Sequence, residues 1–379
     1  MAPIEHNGFA RRRKLLEQQL GERPELGESV RTYLTEEQVQ GNIENFVGAV
    51  PVPVGLCGPV DVRGEHAKGS FVVPMATLEG TLVASYSRGA KVVNLCGGCE
   101  VSVYGDDFLR AAMLSTGSLT EAALLAAWCG RNASRIRAAA ETGSNHLGAV
   151  EVSFDRMGAS VLLTIRFTTD DAMGSNMASK GIAQAADLVV AESGSVLRHV
   201  VPYPEDKKSI PGRRKGKRVV ARAVLRRDVV ESVTRADIGQ ITAYVSDYKN
   251  FLALHGSHAL NIHTANGIAA MFQAFGQDMA YLAECSQAVV DCRLVTTDEL
   301  EVTVTIPTLV IGSVGGGTGL PAYQAMLSMV GCAGSGKARK LAEIIGATTL
   351  AGEINCAAAQ CAHEFVTAHE KLGKNRPLP

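Results

Sequence analysis

Residues 149–154 read Ala-Val-Glu-Val-Ser-Phe and residues 160–167 read Ser-Val-Leu-Leu-Thr-Ile-Arg-Phe, and this stretch decides how the middle of the chain folds. The turn-forming run Asp155-Arg156-Met157-Gly158 lies between them, so the pattern predicts a β-hairpin. Helical patterns flank the hairpin, an alanine-rich one over 120–142 and a longer one over 176–199. Helix, hairpin and helix together indicate a small α/β sandwich inserted into a larger domain.

The regions on either side of this insertion complete the domain organisation. Residues 1–40 are charged and helix-prone, and residues 41–110 and 200–379 form the larger domain around the insertion at 111–199. In the larger domain, short alternating runs predict strands near 70–73, 218–225 and 301–306, and an Ala/Gly-rich run predicts a terminal helix. The predicted fold class is α+β, a large helix-rich domain with strands that is interrupted by a small sandwich.

Composition excludes several broad classes of function. The 379 residues carry a net charge of −1, so no overall field selects nucleic acid or an acidic surface. No apolar run approaches the roughly 20 residues of a membrane span. No apolar segment follows the basic N-terminal run, so no signal peptide is predicted. Nine cysteines, an odd number, favour reduced thiols over a disulfide framework. We therefore expect a cytoplasmic protein that binds neither nucleic acid nor a membrane.

Three local motifs suggest functions that their neighbouring residues do not support. Gly331 to Lys337 has the spacing of a phosphate loop, but Ala338 stands where Ser or Thr would hold magnesium. Cys96-Gly-Gly-Cys99 has the spacing of half a zinc site, and no second pair completes it. The basic run over 213–218 is typical of a solvated loop, although it could meet phosphates. No metal site is predicted.

Glu79 lies in the otherwise apolar and small-residue run Met75-Ala-Thr-Leu-Glu-Gly-Thr-Leu-Val83. Burying a carboxylate is costly and favours its protonated form, which suits a proton donor or relay. The alternative is a solvated glutamate that opens a helix, and these residues alone favour that alternative.

Other polar segments bear on the choice. Residues 170–177 end a strand and open a helix, where free N–H groups suit a phosphate, or where an Asp simply caps the helix. Glu205-Asp206-Lys207-Lys208 places two cations in a loop, where they polarise a carbonyl or form only a surface turn. Gly276-Gln277-Asp278 ends an apolar segment, and the glycine-rich loop 311–319 lets a bulky ligand lie against the main chain.

Together these segments resemble the 3-hydroxy-3-methylglutaryl-coenzyme A reductase family from about residue 40 to the C-terminus. The matching stretches, in one order and with compatible spacing, are Glu44-Asn45, Pro53 to Pro59, Met75 to Arg88, Asp171 to Asn176, Asp206-Lys207-Lys208, Gly276-Gln277-Asp278 and Val314 to Thr318. The Asp-Lys-Lys loop looks like the class I form. The class II form places its lysine just before a helix, where this chain has His263-Thr264-Ala265-Asn266.

The resemblance implies roles for individual residues. The catalytic set is Glu79 as a buried proton relay, Lys207 as the stabiliser of an oxyanion, Asp278 beneath Lys207, and His369 as the acid for the coenzyme A thiolate. The substrate-binding set is Arg110, Asp206, Lys208 and Asn266 for the acyl group, with Ser85, Arg88 and Arg235 for coenzyme A. The cofactor-binding set is Ser144, Asp171, Met173, Gly174, Asn176, Gly315, Gly316 and Gly317, which would hold NADPH.

The resemblance also implies a reaction and an assembly. The reaction is the four-electron reduction of 3-hydroxy-3-methylglutaryl-CoA to mevalonate and coenzyme A by two NADPH. The family's small cofactor domain is ferredoxin-like, which assigns that fold to residues 111–199. Because the family's site forms between subunits, a homodimer or a larger homo-oligomer is implied.

Departures from the family pattern leave alternatives open. The residues around Arg110 differ from the usual ones, and Val200 to Pro204 lacks the usual small hydroxyl residue, so a different acyl thioester is an alternative substrate. No arginine lies near Ser144 to meet a 2′-phosphate, so NADH is an alternative to NADPH. A non-catalytic member of the family is the remaining alternative.

Overall fold

The computed structural model describes residues 8–20, 34–202, 207–208, 215–366 and 370. Two predicted site residues, Asp206 and His369, lie outside the described residues. No helix in the described part of the chain has the length and apolar character needed to cross a membrane.

Strands and helices alternate irregularly along the chain. The strands are β1 (Val54–Arg63), β2 (Lys68–Ala76), β3 (Cys99–Ser115), β4 (Gly148–Arg156), β5 (Ser160–Thr168), β6 (Val196–Pro202), β7 (Gly216–Arg226), β8 (Val289–Leu294) and β9 (Glu299–Leu309). The α-helices are α1 (Gly8–Leu20), α2 (Leu82–Leu95), α3 (Leu119–Arg131), α4 (Ala133–Glu141), α5 (Ser175–Ser193), α6 (Arg227–Thr234), α7 (Ile238–Leu254), α8 (Thr264–Ala274), α9 (Leu282–Cys285), α10 (Pro321–Met329) and α11 (Ala338–Cys361). Short 3₁₀ turns lie at Met279–Tyr281 and Gly316–Gly319.

The larger sheet has the strand order β2-β1-β3-β7-β9-β8. Strands β1 and β3 are parallel, and the other neighbours are antiparallel. Strand β9 illustrates why its sequence forms a strand, because Leu300, Val302, Val304 and Ile306 alternate with polar residues and are all buried. Burying one face in this way fixes the register of the strand.

Strand β3 is long enough to belong to a second, smaller sheet as well. Its residues 108–115 pair with β5, and residues 110–115 also pair with β6. The smaller sheet has the antiparallel order β4-β5-β3-β6. Helices α3 and α4 connect β3 to β4, and α5 connects β5 to β6. The chain therefore enters and leaves this unit through neighbouring strands.

Helix α11 runs through the core of the larger part, and its residues 341–359 are all buried. Small residues let α2 cross it closely, because a Cβ on Gly89 would lie 1.8 Å from Ala351 O. Buried Glu353 of α11 accepts hydrogen bonds from Ile262 N at 2.8 Å and His263 N at 3.0 Å. A core carboxylate thereby holds the N-terminal end of α8, the helix that carries Asn266.

Two predicted helices differ from the observed ones. The helix predicted over 120–142 is two helices that meet at Asn132, whose side chain donates to Trp128 O at 2.9 Å. The helix predicted over 176–199 ends at Ser193, because Gly194 adopts a left-handed conformation and the β-branched run after it forms β6. The hairpin is confirmed as β4 and β5, and the three predicted strands are confirmed as β2, β7 and β9.

Candidate active site

Lys207 and Asp278, two of the predicted catalytic residues, form an ion pair. Lys207 Nζ lies 3.1 Å from Asp278 Oδ2, and both side chains are partly exposed. Asp278 precedes the turn Met279–Tyr281, and its Oδ1 accepts a hydrogen bond from Ala280 N at 2.9 Å. Lys207 Nζ also lies 5.1 Å from the centre of the Tyr281 ring, within cation–π range. The ammonium group is therefore oriented by the protein and still open to a ligand.

Glu79 and Asn266 form a second pair. Asn266 Nδ2 donates to both carboxylate oxygens of Glu79, at 3.2 and 3.1 Å. The prediction of a buried Glu79 is wrong for the single chain, where this residue is exposed. Glu79 lies in the turn before α2, where Thr81 has φ +76 and the adjacent Leu78 is 73% exposed. Among the described residues, no hydrogen bond joins this pair directly to Lys207 or Asp278.

A cleft of about 700 Å³ opens beside Glu79 and Asn266. It is called here the acyl cleft, after the acyl group that Asn266 is predicted to bind. Two predicted coenzyme A residues, Ser85 and Arg88, line it. Asn355 of α11 lies between them, because its Nδ2 donates to Ser85 Oγ at 2.8 Å and its Oδ1 accepts from Arg88 Nε. Both side chains are therefore held by the core helix.

Glu364 links Arg88 to Arg235, the third predicted coenzyme A residue. Glu364 Oε2 accepts from Arg88 Nη1 at 2.7 Å, and Oε1 accepts from Arg235 Nη1 at 3.0 Å. The hydrogen bond from Arg88, together with the charges of both arginines, lowers the pKa of Glu364 below its ordinary value. A carboxylate of the protein thus occupies two guanidinium groups that are expected to meet the anionic groups of coenzyme A.

Several side chains that line the acyl cleft were missed in the sequence. Tyr244 and Tyr248 of α7 stack with ring centres 5.7 Å apart, and Cys356 of α11 lies in the same cleft. Burial raises the pKa of Tyr244 to about 12 and the pKa of Cys356 to about 12, so both stay uncharged near neutral pH. The spacing of two tyrosines four residues apart was the available signal, but it is equally typical of a helix face in a core.

A second cleft of about 570 Å³, called here the glycine-loop cleft, lies between the loop before α5 and the loop after β9. Six predicted cofactor residues line it, namely Met173, Gly174, Asn176, Gly315, Gly316 and Gly317. The loops are tied together by main-chain contacts, since Asp171 O accepts from Ser313 N at 2.8 Å. A Cβ on Gly312 would lie 2.7 Å from Met173 N. Asp278, the ion-pair partner of Lys207, also lines this cleft.

Comparison with known proteins decides the family. The family model described as hydroxymethylglutaryl-coenzyme A reductase matches residues 8–374. The chain belongs to the hydroxymethylglutaryl-coenzyme A reductase family. A relative from Aeropyrum pernix, named 3-hydroxy-3-methylglutaryl-coenzyme A reductase, is 39% identical over 361 residues, which cover 90% of this chain and 84% of that relative. A relative of the same name from Methanocaldococcus jannaschii is 35% identical over 381 residues, 96% of this chain and 92% of that relative.

A solved structure shares the fold of this reductase-family chain. It is the class II 3-hydroxy-3-methylglutaryl-CoA reductase from Streptococcus pneumoniae, bound to NADPH in open conformations. Its TM-score is 0.71, and the match covers 94% of this chain and 100% of that one at 19% identity. At this identity the likeness concerns the mixed α/β fold.

Asp171 has a different position in this reductase-family chain from the one predicted. Its carboxylate accepts hydrogen bonds from Gly336 N, Lys337 N at 3.0 Å and Ala338 N at 2.9 Å, so it caps α11 instead of facing the glycine-loop cleft. Desolvation opposes the charge, but these three hydrogen bonds and Lys217 lower the pKa of Asp171. The phosphate-loop-like run before Ala338 is therefore already occupied by an internal carboxylate.

Ser144 and Arg110 also lie away from their predicted partners. Ser144 Oγ accepts from His146 N at 3.2 Å in the turn before β4, and Ser144 is not among the described residues that line the glycine-loop cleft. Arg110 is 3% exposed and donates to Ser179 Oγ at 2.9 Å and to Ser175 Oγ at 2.5 Å. Because Ser175 lines the glycine-loop cleft, Arg110 lies behind that wall and not in the acyl cleft.

The basic run that leads into β7 is not a solvated loop where the structure describes it. Lys215 and Lys217 are 0% and 2% exposed. Lys217 Nζ lies 3.2 Å from Asp106 Oδ1, and Lys215 Nζ lies 3.1 Å from Glu284 Oε2. Buried charges require such partners, and a run of basic residues carries no sign that acidic residues from distant segments supply them.

Proposed function

We propose that this protein reduces 3-hydroxy-3-methylglutaryl-CoA to mevalonate and coenzyme A, with the oxidation of two NADPH per turnover. One observation carries the proposal: in a chain of this family, Asp278 lies on the wall of the glycine-loop cleft and forms an ion pair with Lys207. The relatives named for this activity match most of the chain, which supports the same assignment.

The glycine-loop cleft fits a nicotinamide dinucleotide. Gly315 and Gly316 have φ +81 and +56, and a Cβ on either would meet no heavy atom within 4 Å, so their main chain is open to the cleft. Met173, Gly174 and Asn176 would hold the cofactor from the opposite wall. NADPH, when bound, supplies the hydride. The NADPH-bound neighbour from S. pneumoniae supports this cofactor.

The side chains supply charge and protons for two reductions. Lys207 stabilises the oxyanion that develops as hydride reaches the thioester carbonyl carbon. The resulting hemithioacetal collapses to an aldehyde and a coenzyme A thiolate, which takes a proton from His369. A second hydride reaches the aldehyde carbon while Glu79 relays a proton to its oxygen, and the product is the alcohol. Asp278 orients Lys207 through its ion pair.

The assembly we propose is a homodimer or larger homo-oligomer that covers Glu79. Exposed apolar side chains surround its turn and the neighbouring strands, namely Val54, Leu56, Val72 and Leu78. A second subunit over this surface would bury Glu79, and burial favours the protonated form that a relay needs. The molar mass from light scattering tests this assembly, and a monomer at working concentration would refute it.

We also propose finer assignments, each supported by an observation. Lys207, in the Asp-Lys-Lys loop, contacts Asp278, while His263 stands before α8, and this supports the class I form. The order β4-β5-β3-β6 with its helical connections supports a ferredoxin-like cofactor domain at 111–199 within the larger domain at 41–110 and 200–379, after an N-terminal segment at 1–40. All nine cysteines are free thiols, which supports a cytoplasmic location.

The first test is the loss of reduced-nicotinamide absorbance when purified protein meets 3-hydroxy-3-methylglutaryl-CoA. We expect two NADPH oxidised per mevalonate formed, with NADH as the comparison. No oxidation of either cofactor would refute the proposal in favour of a non-catalytic family member. Activity with other acyl thioesters and none with this one would instead establish a sister reductase, which the tyrosine-lined acyl cleft allows.

A further inference from the structure

The buried ion pair between Lys215 and Glu284 belongs to neither cleft. Their side chains are 0% and 3% exposed, and Lys215 Nζ lies 3.1 Å from Glu284 Oε2. Neither is among the described residues that line the acyl cleft or the glycine-loop cleft. Because desolvation cancels much of the attraction in a buried pair, stability alone is a weak reason for its presence. Its position relative to Lys207 offers another.

Glu284 holds the main chain of Lys207. Lys207 N donates to Glu284 Oε1 at 3.0 Å, while Oε2 of the same carboxylate faces Lys215. Lys207 has φ +57, a left-handed conformation that residues other than glycine seldom adopt. An acceptor fixed in the core therefore stabilises a backbone conformation that a lysine would otherwise leave.

One short segment acts on both ends of Lys207. Asp278 contacts Nζ at 3.1 Å, the Tyr281 ring centre lies 5.1 Å from Nζ, and Glu284 accepts from the main-chain N–H. These three residues follow one another at intervals of three along the turn and α9. Lys215 Nζ lies 5.1 Å from the same Tyr281 ring, so the buried pair is packed directly against this segment.

We propose that Glu284, neutralised by Lys215, is a positioning residue that sets the backbone conformation of Lys207 and so aims its ammonium group at the reacting carbonyl. The inference rests on the proposed function, because that function gives Lys207 its role at the oxyanion. Glu284 and Lys215 act only through Lys207 and touch no substrate.

A pair of double variants separates the hydrogen-bond acceptor from the buried charges. Lys215→Met/Glu284→Gln removes both charges and keeps an oxygen for Lys207 N. Lys215→Met/Glu284→Met removes both charges and the oxygen, with a side chain of similar size. We expect kcat within about threefold of wild type for the first and lower by about 10- to 100-fold for the second, since small misplacements of a reacting group cost on that order. The KM for NADPH should be unchanged in both.

The wild type and Gln287→Ala serve as controls. Gln287 Nε2 makes a longer bond, 3.4 Å, to Lys208 O in the same loop, and its loss should leave kcat unchanged. A wild type without turnover would refute the proposed function. A wild type with turnover, and equal kcat in the two double variants, would refute the positioning role alone.

A single variant covers the case in which the methionine double variant fails to fold. Glu284→Asp keeps the charge that faces Lys215 but shortens the reach to Lys207 N. A kcat lower by about tenfold with an unchanged KM for NADPH would support the positioning role. An unchanged kcat would overturn it.

Discussion

The glycine-loop cleft and the acyl cleft are built in different ways. Two walls of the glycine-loop cleft are largely main chain, since the loops at 171–174 and 312–317 are tied by main-chain hydrogen bonds and approach closely at Gly312, which has no side chain. The acyl cleft is made of side chains that project from helices, such as Arg88, Tyr244 and Asn266. The glycine-loop cleft therefore depends on the absence of side chains at its glycines. The acyl cleft depends on the groups that particular side chains supply.

The largest effect is expected at Lys207, because this lysine forms an ion pair with Asp278, which lines the glycine-loop cleft. Lys207→Met removes the charge that we propose stabilises the oxyanion, so kcat should fall by about 10²- to 10³-fold or more. Steady-state kinetics with 3-hydroxy-3-methylglutaryl-CoA measures this. The binding of NADPH should persist, because the main-chain walls of its cleft are intact.

The fold of this variant is expected to survive, since Lys207 is about half exposed, with 46% of its side chain accessible. An unchanged melting temperature with lost turnover is the predicted combination. Turnover near the wild-type rate would exclude Lys207 from the proposed chemistry.

The second effect concerns the glycine-loop cleft alone. A Cβ on Gly312 would lie 2.7 Å from Met173 N and 2.9 Å from Asp171 O, so Gly312→Ala must push the two loops apart. Overpacking of this kind costs about 1–3 kcal/mol, and we expect the Kd for NADPH to rise by the corresponding one to two orders of magnitude. Calorimetric or fluorescence titration with NADPH measures it.

Gly319→Ala is the matched control, because a Cβ at this position in the same loop meets no heavy atom within 4 Å. Its Kd for NADPH should stay at the wild-type value. Equal losses in the two variants would mean that loop flexibility, and not close approach, maintains the cleft.

The glycine-loop cleft was also easier to predict from the sequence than the acyl cleft. Gly174, Gly315 and Gly316 have positive φ, and a Cβ on Gly317 would lie 2.8 Å from Gly276 O. A glycine-rich run predicts such positions without knowledge of the fold. Asp171 was harder to assign, because the same sequence suits a cofactor site and a helix cap. Only the distant residues 336–338, which donate to its carboxylate, decide between the two.

The side chains around Lys207 and near Glu79 were harder to predict. The pattern at 213–218 resembles a solvated basic loop, yet Lys215 and Lys217 are buried because Glu284 and Asp106 come from other segments. The family resemblance implied a buried Glu79, whereas its neighbours alone favoured a solvated glutamate, and in the single chain Leu78 and Glu79 both face solvent. Local hydrophobicity predicts that a surface is buried, but it does not identify the chain that buries it.

A smaller effect is expected from the cap that holds the glycine-loop cleft against α11. Asp171→Asn keeps the shape but loses the charge facing three N–H groups, at a cost of about 1 kcal/mol in the free energy of unfolding at neutral pH. Desolvation raises the pKa of Asp171, but the hydrogen bonds outweigh this effect and lower the pKa of the folded residue below 3.8. A lowered folded-state pKa adds stability above the unfolded value, and this stability is lost as pH falls through the folded value.

The difference in unfolding free energy between wild type and Asp171→Asn should therefore shrink as pH falls below 3.8, measured by urea titration. Asp170→Asn, at the exposed neighbouring position, is the control and should show a smaller difference at every pH. A difference that stayed constant through this range would show that the carboxylate charge does not support the cap.

The smallest effect concerns the acyl cleft, where Glu364 occupies Arg88 and Arg235. If these guanidinium groups bind the anionic part of coenzyme A, the protein carboxylate competes with the substrate for them. Glu364→Gln should then lower the KM for the acyl-CoA by about two- to fivefold, because partly exposed ion pairs are worth up to about 1 kcal/mol. The gain should shrink as salt is added, since salt screens the exposed Arg235.

Glu192→Gln is the control for this variant, because Glu192 makes a comparable pair with Arg135 in the smaller sheet unit, away from the acyl cleft. The KM of Glu192→Gln for the acyl-CoA should not change. A raised KM in Glu364→Gln would reverse the interpretation, since Glu364 would then order the two arginines for coenzyme A instead of competing with it. That result would also narrow the difference between the clefts, because the acyl cleft would then be as preorganised by internal contacts as the glycine loops are.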